Sequence, residues 1–151
     1  AASDGCDPVE RCAVEYTRLF VGPPRPAAAP WETMHRAGGS AAVGGATVGF
    51  GQATFEMRAL LREAGLEVKN ENNQYEDHIG IELLYLSALC ARAAEGEEGA
   101  VEEVRTFAED RLLAWLPFLR AAAEEAAPDG YLPLLLALAD ALLRVPSGAS
   151  A

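Results

Sequence analysis

Apolar residues in this chain recur mostly at three- and four-residue intervals, the spacing of one face of a helix. The first such run holds Val9, Cys12, Ala13, Tyr16, Leu19 and Phe20 on a common face. Asp7-Pro8-Val9-Glu10 supplies its start, with a capping aspartate, a proline in the first turn and a glutamate three residues after the cap. Gly22-Pro23-Pro24 supplies its stop. Proline then recurs through residues 21–31, which predicts an extended strap anchored by Trp31. Glycine and small residues over 37–51 predict a loop. The next helix spans 52–64, with Phe55, Ala59, Leu60 and Leu61 inward and Gly65 as its C-terminal cap.

A polar, asparagine-rich stretch follows, read as a hinge over 67–75. A long helix is predicted over 75–94, with Ile79, Glu82, Leu83, Leu86, Leu89 and Cys90 on one stripe. Leu84, Tyr85 and Ala88 widen that stripe, so the helix reads as buried on most sides. Helices over 100–114 and 116–126 come next, with Pro117 expected to break or kink the chain between them. A last helix is predicted over 131–144, ending at Pro146. Strand-like alternation is missing. The fold class is therefore all-α: one helical bundle, a single domain over 1–151, with a long proline- and glycine-rich irregular segment between its first and second helices.

Charge narrows the function. The formal net charge is -11, from 12 Lys and Arg against 23 Asp and Glu. Such a field repels nucleic acid and anionic membrane surfaces, and attracts a cationic peptide. The longest apolar run, 132–143, is too short for a membrane span and is interrupted by Pro133 and Asp140. Three cysteines without paired spacing fit a reducing compartment rather than a disulfide framework, which points to the cytoplasm.

The densest chemistry lies at Glu76-Asp77-His78, followed by Glu82. One reading is structural: acids complement a helix N-terminus, and His78 pairs with Glu82 one turn later. The other is functional: carboxylates beside a hinge hold arginine guanidinium groups, with His78 as a pH-sensitive neighbour. A metal-dependent enzyme built on Asp77, His78 and Glu82 is a third reading, though the spacing matches no zinc signature. Cys12 and Cys90 lie on apolar stripes, where a thiol is inert. No Gly-Lys-Ser/Thr closes a phosphate-binding loop. Tyr16, Leu19 and Phe20 read as core, and Trp31 as packing for the strap or as a lid.

Several segments resemble a known family in order along the chain. Glu15-Tyr16-Thr17-Arg18-Leu19-Phe20-Val21-Gly22-Pro23 is similar to its helix ending in Tyr-x-x-Leu-Phe, and Ala29-Pro30-Trp31-Glu32-Thr33-Met34 to its Pro-aromatic-Glu-Ser strap. Thr54-Phe55-Glu56-Met57-Arg58 and Ala64-Gly65-Leu66 resemble its central helix. Asp77-His78-Ile79 with Glu82-Leu83 resembles its Glu-Pro-x-Asp-His hinge and following helix, although Gln74 and Tyr75 stand where the family has glutamate and proline. The family is that of the TorD/DmsD/NarJ-like chaperones of molybdoenzyme maturation.

The resemblance implies a cytoplasmic chaperone without turnover and without a cofactor of its own. It would bind the twin-arginine signal peptide or N-terminal segment of a molybdopterin oxidoreductase, and hold that apo-subunit until its cofactor is inserted. It implies Glu76, Asp77 and Glu82 as arginine-binding carboxylates and His78 as their partner, with Tyr75, Trp31, Tyr16 and Phe20 lining a groove. It also implies that N-terminal helices of the bundle are missing here. A hinge at 67–75 is compatible with a homodimer, domain-swapped or ordinary. A generic helical assembly subunit is the remaining alternative.

Overall fold

The computed structural model describes residues 7–36, 49–69 and 74–145. Their α-helices are α1 Pro8–Tyr16, α2 Gln52–Glu63, α3 Ile79–Ala94, α4 Ala100–Thr106, α5 Leu113–Ala126 and α6 Tyr131–Leu143. A π-helical turn, Thr17–Val21, prolongs α1, and a second, Phe107–Leu112, joins α4 directly to α5. Among the described residues there is no strand, only a bridge pairing Trp31 with His78. The all-helical class holds. Most of the predicted loop at 37–51 and the centre of the predicted hinge lie outside the described residues.

The caps explain the boundaries. The Asp7 carboxylate accepts a hydrogen bond from the Val9 amide at 3.2 Å, and Pro8 opens α1 where its missing N–H costs nothing. Gly22 closes the π-helical turn at φ 99°, and a Cβ there would stand 2.8 Å from the Arg25 backbone. Gly65, at φ 69°, ends α2 with two returning amide bonds, Gly65 to the Arg62 carbonyl and Leu66 to that of Leu61. The start of α6 is capped from a distance. Glu15 of α1 accepts from the Tyr131 and Leu132 amides at 3.1 and 2.6 Å. Arg18 donates to the Ala126 carbonyl at the end of α5. An acid at one helix N-terminus and a cation at another's C-terminus fasten α1 across the α5–α6 turn.

The core is centred on Leu19, Met57, Leu89, Trp115, Leu116 and Leu119. Its helices face it differently from the predicted stripes. In α2 the inward residues are Ala53, Thr54, Met57 and Leu61, while Phe55 is exposed and lies under the Arg58 guanidinium at 5.6 Å. A buried threonine looks polar in sequence, but its hydroxyl has an acceptor here. In α3 the inward residues are Ile79, Glu82, Tyr85 and Leu89; Leu84 and Cys90 are exposed. The expectation of a helix buried on most sides with an inert, buried Cys90 is therefore corrected: α3 is covered along one face. The break assigned to Pro117 also lies elsewhere. Pro117 sits inside α5, where only its first turns are affected, and the irregularity is the π-helical turn upstream. On α6, Leu134, Leu138 and Leu142 point outward.

Candidate functional site

The Asp77-His78 pair is the joint between the strap and α3. The Trp31–His78 bridge is continued by amide bonds from Glu32 to the Asp77 carbonyl, 2.9 Å, and from Ile79 to the Pro30 carbonyl, 2.9 Å. The Asp77 side chain is fully buried and accepts from the Thr33 amide and the Thr54 hydroxyl, both at 3.0 Å. His78, not an acid, caps α3: its Nδ1 accepts from the Gly80 amide at 3.0 Å. That bond requires a lone pair on Nδ1, so the ring is neutral with its proton on Nε2. Burial pushes the His78 pKa down, against the nearby Asp77 charge. The predicted His78–Glu82 pair is not formed, because the imidazole is turned back onto its own helix start.

We expect Asp77→Ala to cost about 2–3 kcal/mol, since it leaves a buried amide and a buried hydroxyl without their acceptor. Urea unfolding measures this. A cost below about 1 kcal/mol would mean that Asp77 does not hold the strap.

A second buried cluster lies beneath the strap. Glu32, in the 3-10 turn Glu32–Met34, and Glu82 of α3 are both fully buried. Arg111, from the second π-helical turn, enters between them, 2.5 Å from Glu32 Oε2 and 3.5 Å from Glu82 Oε1. It also donates to the Ala53 carbonyl at 3.0 Å. Arg36 reaches the other Glu32 oxygen at 2.9 Å, and Trp115 Nε1 donates to Glu82 Oε2 at 3.0 Å. Burial, then the charge of Glu32 and a hydrogen bond with it, push the Glu82 pKa up to about 9, against Arg111 and Trp115. Glu82 is thus a neutral acid at neutral pH.

Outside this cluster runs an open groove of about 680 Å³. Its floor is Leu60 of α2, Tyr85 and Leu89 of α3 and Phe107. Its rim carries Glu63, Glu102, Glu103 and Asp110, and Arg36 and Arg111 line it as well. Among these acids Glu103 is paired with Arg92 and Glu102 with Arg105. Glu63 and Asp110 are exposed and, among the described residues, have no ion-pair partner.

The predicted site residues do not converge on this groove. Asp77 and Glu82 are internal, and Glu76 is clasped by Arg58 of the same chain at 2.7 and 3.1 Å, which holds its carboxyl below the usual range. Trp31 packs edge-on against His78, with ring centres 6.0 Å apart. Phe20 is core, with Tyr16 half-exposed against it at 5.3 Å, which corrects the reading of Tyr16 as core. Tyr75 is also half-exposed. Asp77, His78 and Glu82 each serve a different partner, and among the described residues no three metal-ligating groups come together. Sequence reasoning missed Arg111 as an organising residue. Its signal was an arginine on the same inward stripe as Phe107, Ala108 and Leu112.

Comparison with known proteins places the chain. The profile of the family described as "Nitrate reductase delta subunit" matches residues 3–121. The Tat proofreading chaperone DmsD of Salmonella paratyphi A is 34% identical over 100 residues, covering 66% of this chain and 40% of that protein. The chaperone protein TorD of Photobacterium profundum is 26% identical over 110 residues, 70% of this chain and 48% of that one. TorD of Vibrio vulnificus strain CMCP6 is 36% identical over 80 residues, 49% of this chain and 37% of that one. The chain spans less than half the length of these relatives. With the family profile covering most of the chain and the strap and hinge motifs joined in space, this protein belongs to the nitrate reductase delta subunit family, the group of TorD/DmsD/NarJ-like chaperones.

Proposed function

We propose that this protein is a cytoplasmic maturation chaperone that binds the twin-arginine signal peptide or N-terminal segment of a molybdopterin oxidoreductase and holds it for cofactor insertion. The observation that carries the reading is the groove: an apolar floor of Leu60, Tyr85, Leu89 and Phe107 under a rim where Glu63 and Asp110 have no ion-pair partner among the described residues, on a chain of net charge -11. A basic, apolar segment is complementary to both features. Floor burial supplies affinity, and rim charge supplies orientation and encounter rate. The names of the relatives, proofreading chaperone and chaperone protein, support the same class. Nothing in this role requires turnover.

Asp77 and His78 enter as positioning residues. They tie the strap to α3, and the turn that follows the strap brings Arg36 to the groove's wall, held from behind by the buried Glu32. Glu76, Tyr75 and Tyr16 remain as outlying contacts for a longer segment.

The test is binding of a twin-arginine signal peptide, followed by fluorescence anisotropy, to the native protein and to the double variant Glu63→Lys with Asp110→Lys. Both positions are exposed, so folding is preserved. We expect binding to weaken roughly tenfold or more, with a reduced salt dependence. Unchanged affinity would rule out this groove as the binding surface.

A further inference from the structure

Resting on the groove reading above, we infer that Arg92 is a built-in occupant of a guanidinium-binding subsite at one end of the groove, and that an arginine of the bound segment takes its place. Arg92 stands in the last turn of α3. Its Nε donates to Glu97 Oε2 at 2.9 Å and its Nη1 to Glu103 Oε2 at 2.9 Å. Its Nη2 completes the fork, reaching Glu97 Oε1 and, at 3.4 Å, Glu103 Oε1. One planar cation thus satisfies two carboxylates from two elements, the turn after α3 and helix α4.

This clamp does not stand alone on the surface. With Glu63, Ala64 and Tyr85 it walls a second cavity of about 430 Å³, which shares Glu63, Tyr85 and Glu103 with the groove. The apolar floor therefore leads directly to a fork-shaped acidic seat already filled by the protein's own guanidinium. Arg105 differs. Its partners Glu102 and Glu109 lie one turn away on the same helical run, in ordinary surface pairs.

The seat is exchangeable on physical grounds. The Arg92 side chain is one-third exposed and its partners nearly half, so the contact is a solvent-screened one with little net stability. A guest guanidinium offers the same five donors in the same plane, whereas a lysine ammonium lacks that planar fork and cannot reproduce the bidentate pairing with each carboxylate. Occupancy by Arg92 lowers the apparent affinity for the guest by the fraction of time that the seat is closed.

The test uses two synthetic peptides, one with two adjacent arginines before a leucine-rich run and one with lysines in their place. Binding is measured to the native chain, R92A and R92Q, with R92Q carrying the test if R92A does not fold by circular dichroism. We expect R92A to bind the arginine peptide about tenfold more tightly, and the lysine peptide with a much smaller gain. Adding Glu97→Gln and Glu103→Gln should abolish that gain. R144A changes the net charge equally but sits away from the groove, on α6's neighbouring Asp140 pair, and should show no arginine-selective gain. Equal or weaker arginine-peptide binding by folded R92A and R92Q overturns the inference. If the native chain binds and is weakened by the Glu63 and Asp110 reversals while Arg92 variants gain nothing, the groove stands and only this inference falls. If no variant binds either peptide, both fall together.

Discussion

Replacing Arg111 by methionine is expected to cost about 3–5 kcal/mol of folding stability at neutral pH, the largest single loss in the molecule. Arg111 is the cation on which Glu32 and Glu82 converge, and all three are removed from water. Taking away the guanidinium leaves Glu32 buried with only the half-exposed Arg36 beside it. It also takes a donor from the Ala53 carbonyl. The cost comes from the stranded charge rather than from a strong pair. A second substitution, Glu32→Gln in the Arg111→Met background, should therefore recover at least half of the loss. Guanidinium or urea unfolding of the single and double variants measures both quantities. A single-variant loss below about 1 kcal/mol would show that this cluster is solvated.

Glu82 gives the second large effect, and it is a pH effect. Its folded pKa is raised, to about 9 against 4.5 for the free side chain. Such a group contributes stability that is fully present below pH 4.5 and is lost as pH rises through about 9. Within that window the unfolded chain is ionised while the folded chain holds its proton. This one group then lowers stability by up to about 1.4 kcal/mol per pH unit. His78 and His35 act in the opposite direction. Both have pKa values pushed below 6.5 by burial, so their contribution is present above pH 6.5 and is lost as pH falls below it. The native protein should therefore be most stable in mildly acidic solution and lose stability toward pH 9. Glu82→Gln keeps an acceptor for Trp115 Nε1 without an ionisable proton. We expect that variant to be the more stable one above neutrality, with its alkaline slope largely abolished. Thermal melts of the two proteins across pH decide the matter. Parallel curves would mean that Glu82 is already charged in the fold.

Much of the architecture could be read from the chain. Asp7, Gly22 and Gly65 carry their caps in their chemistry, and the helices they bound lie close to where spacing put them. Helix faces were read less well. Counting Phe55 and Leu84 as inward follows from hydrophobicity alone, yet both are exposed, while Thr54 and Glu82 are buried. A polar side chain is buried when a partner awaits it, and that partner is more than twenty residues distant in sequence: Asp77 for Thr54, Trp115 for Glu82. No local pattern encodes such a pairing.

Glu76-Asp77-His78 shows the same division. Its composition marked it as unusual, and it is the joint through which the strap is held. What composition could not say is which way the carboxylates turn. Asp77 turns inward to the strap and Glu76 turns to Arg58. The acid rim instead comes from α2, α4 and the second π-helical turn, elements brought together only when α3 and α4 pack.

Family membership, helical class, the caps and the negative field were determined by the sequence alone, because each depends on residue type and short-range spacing. The tertiary structure decided which charges are internal, which acid keeps its proton and where the apolar groove opens. Those outcomes depend on desolvation and on contacts between residues remote along the chain, quantities that exist only once the helices have packed.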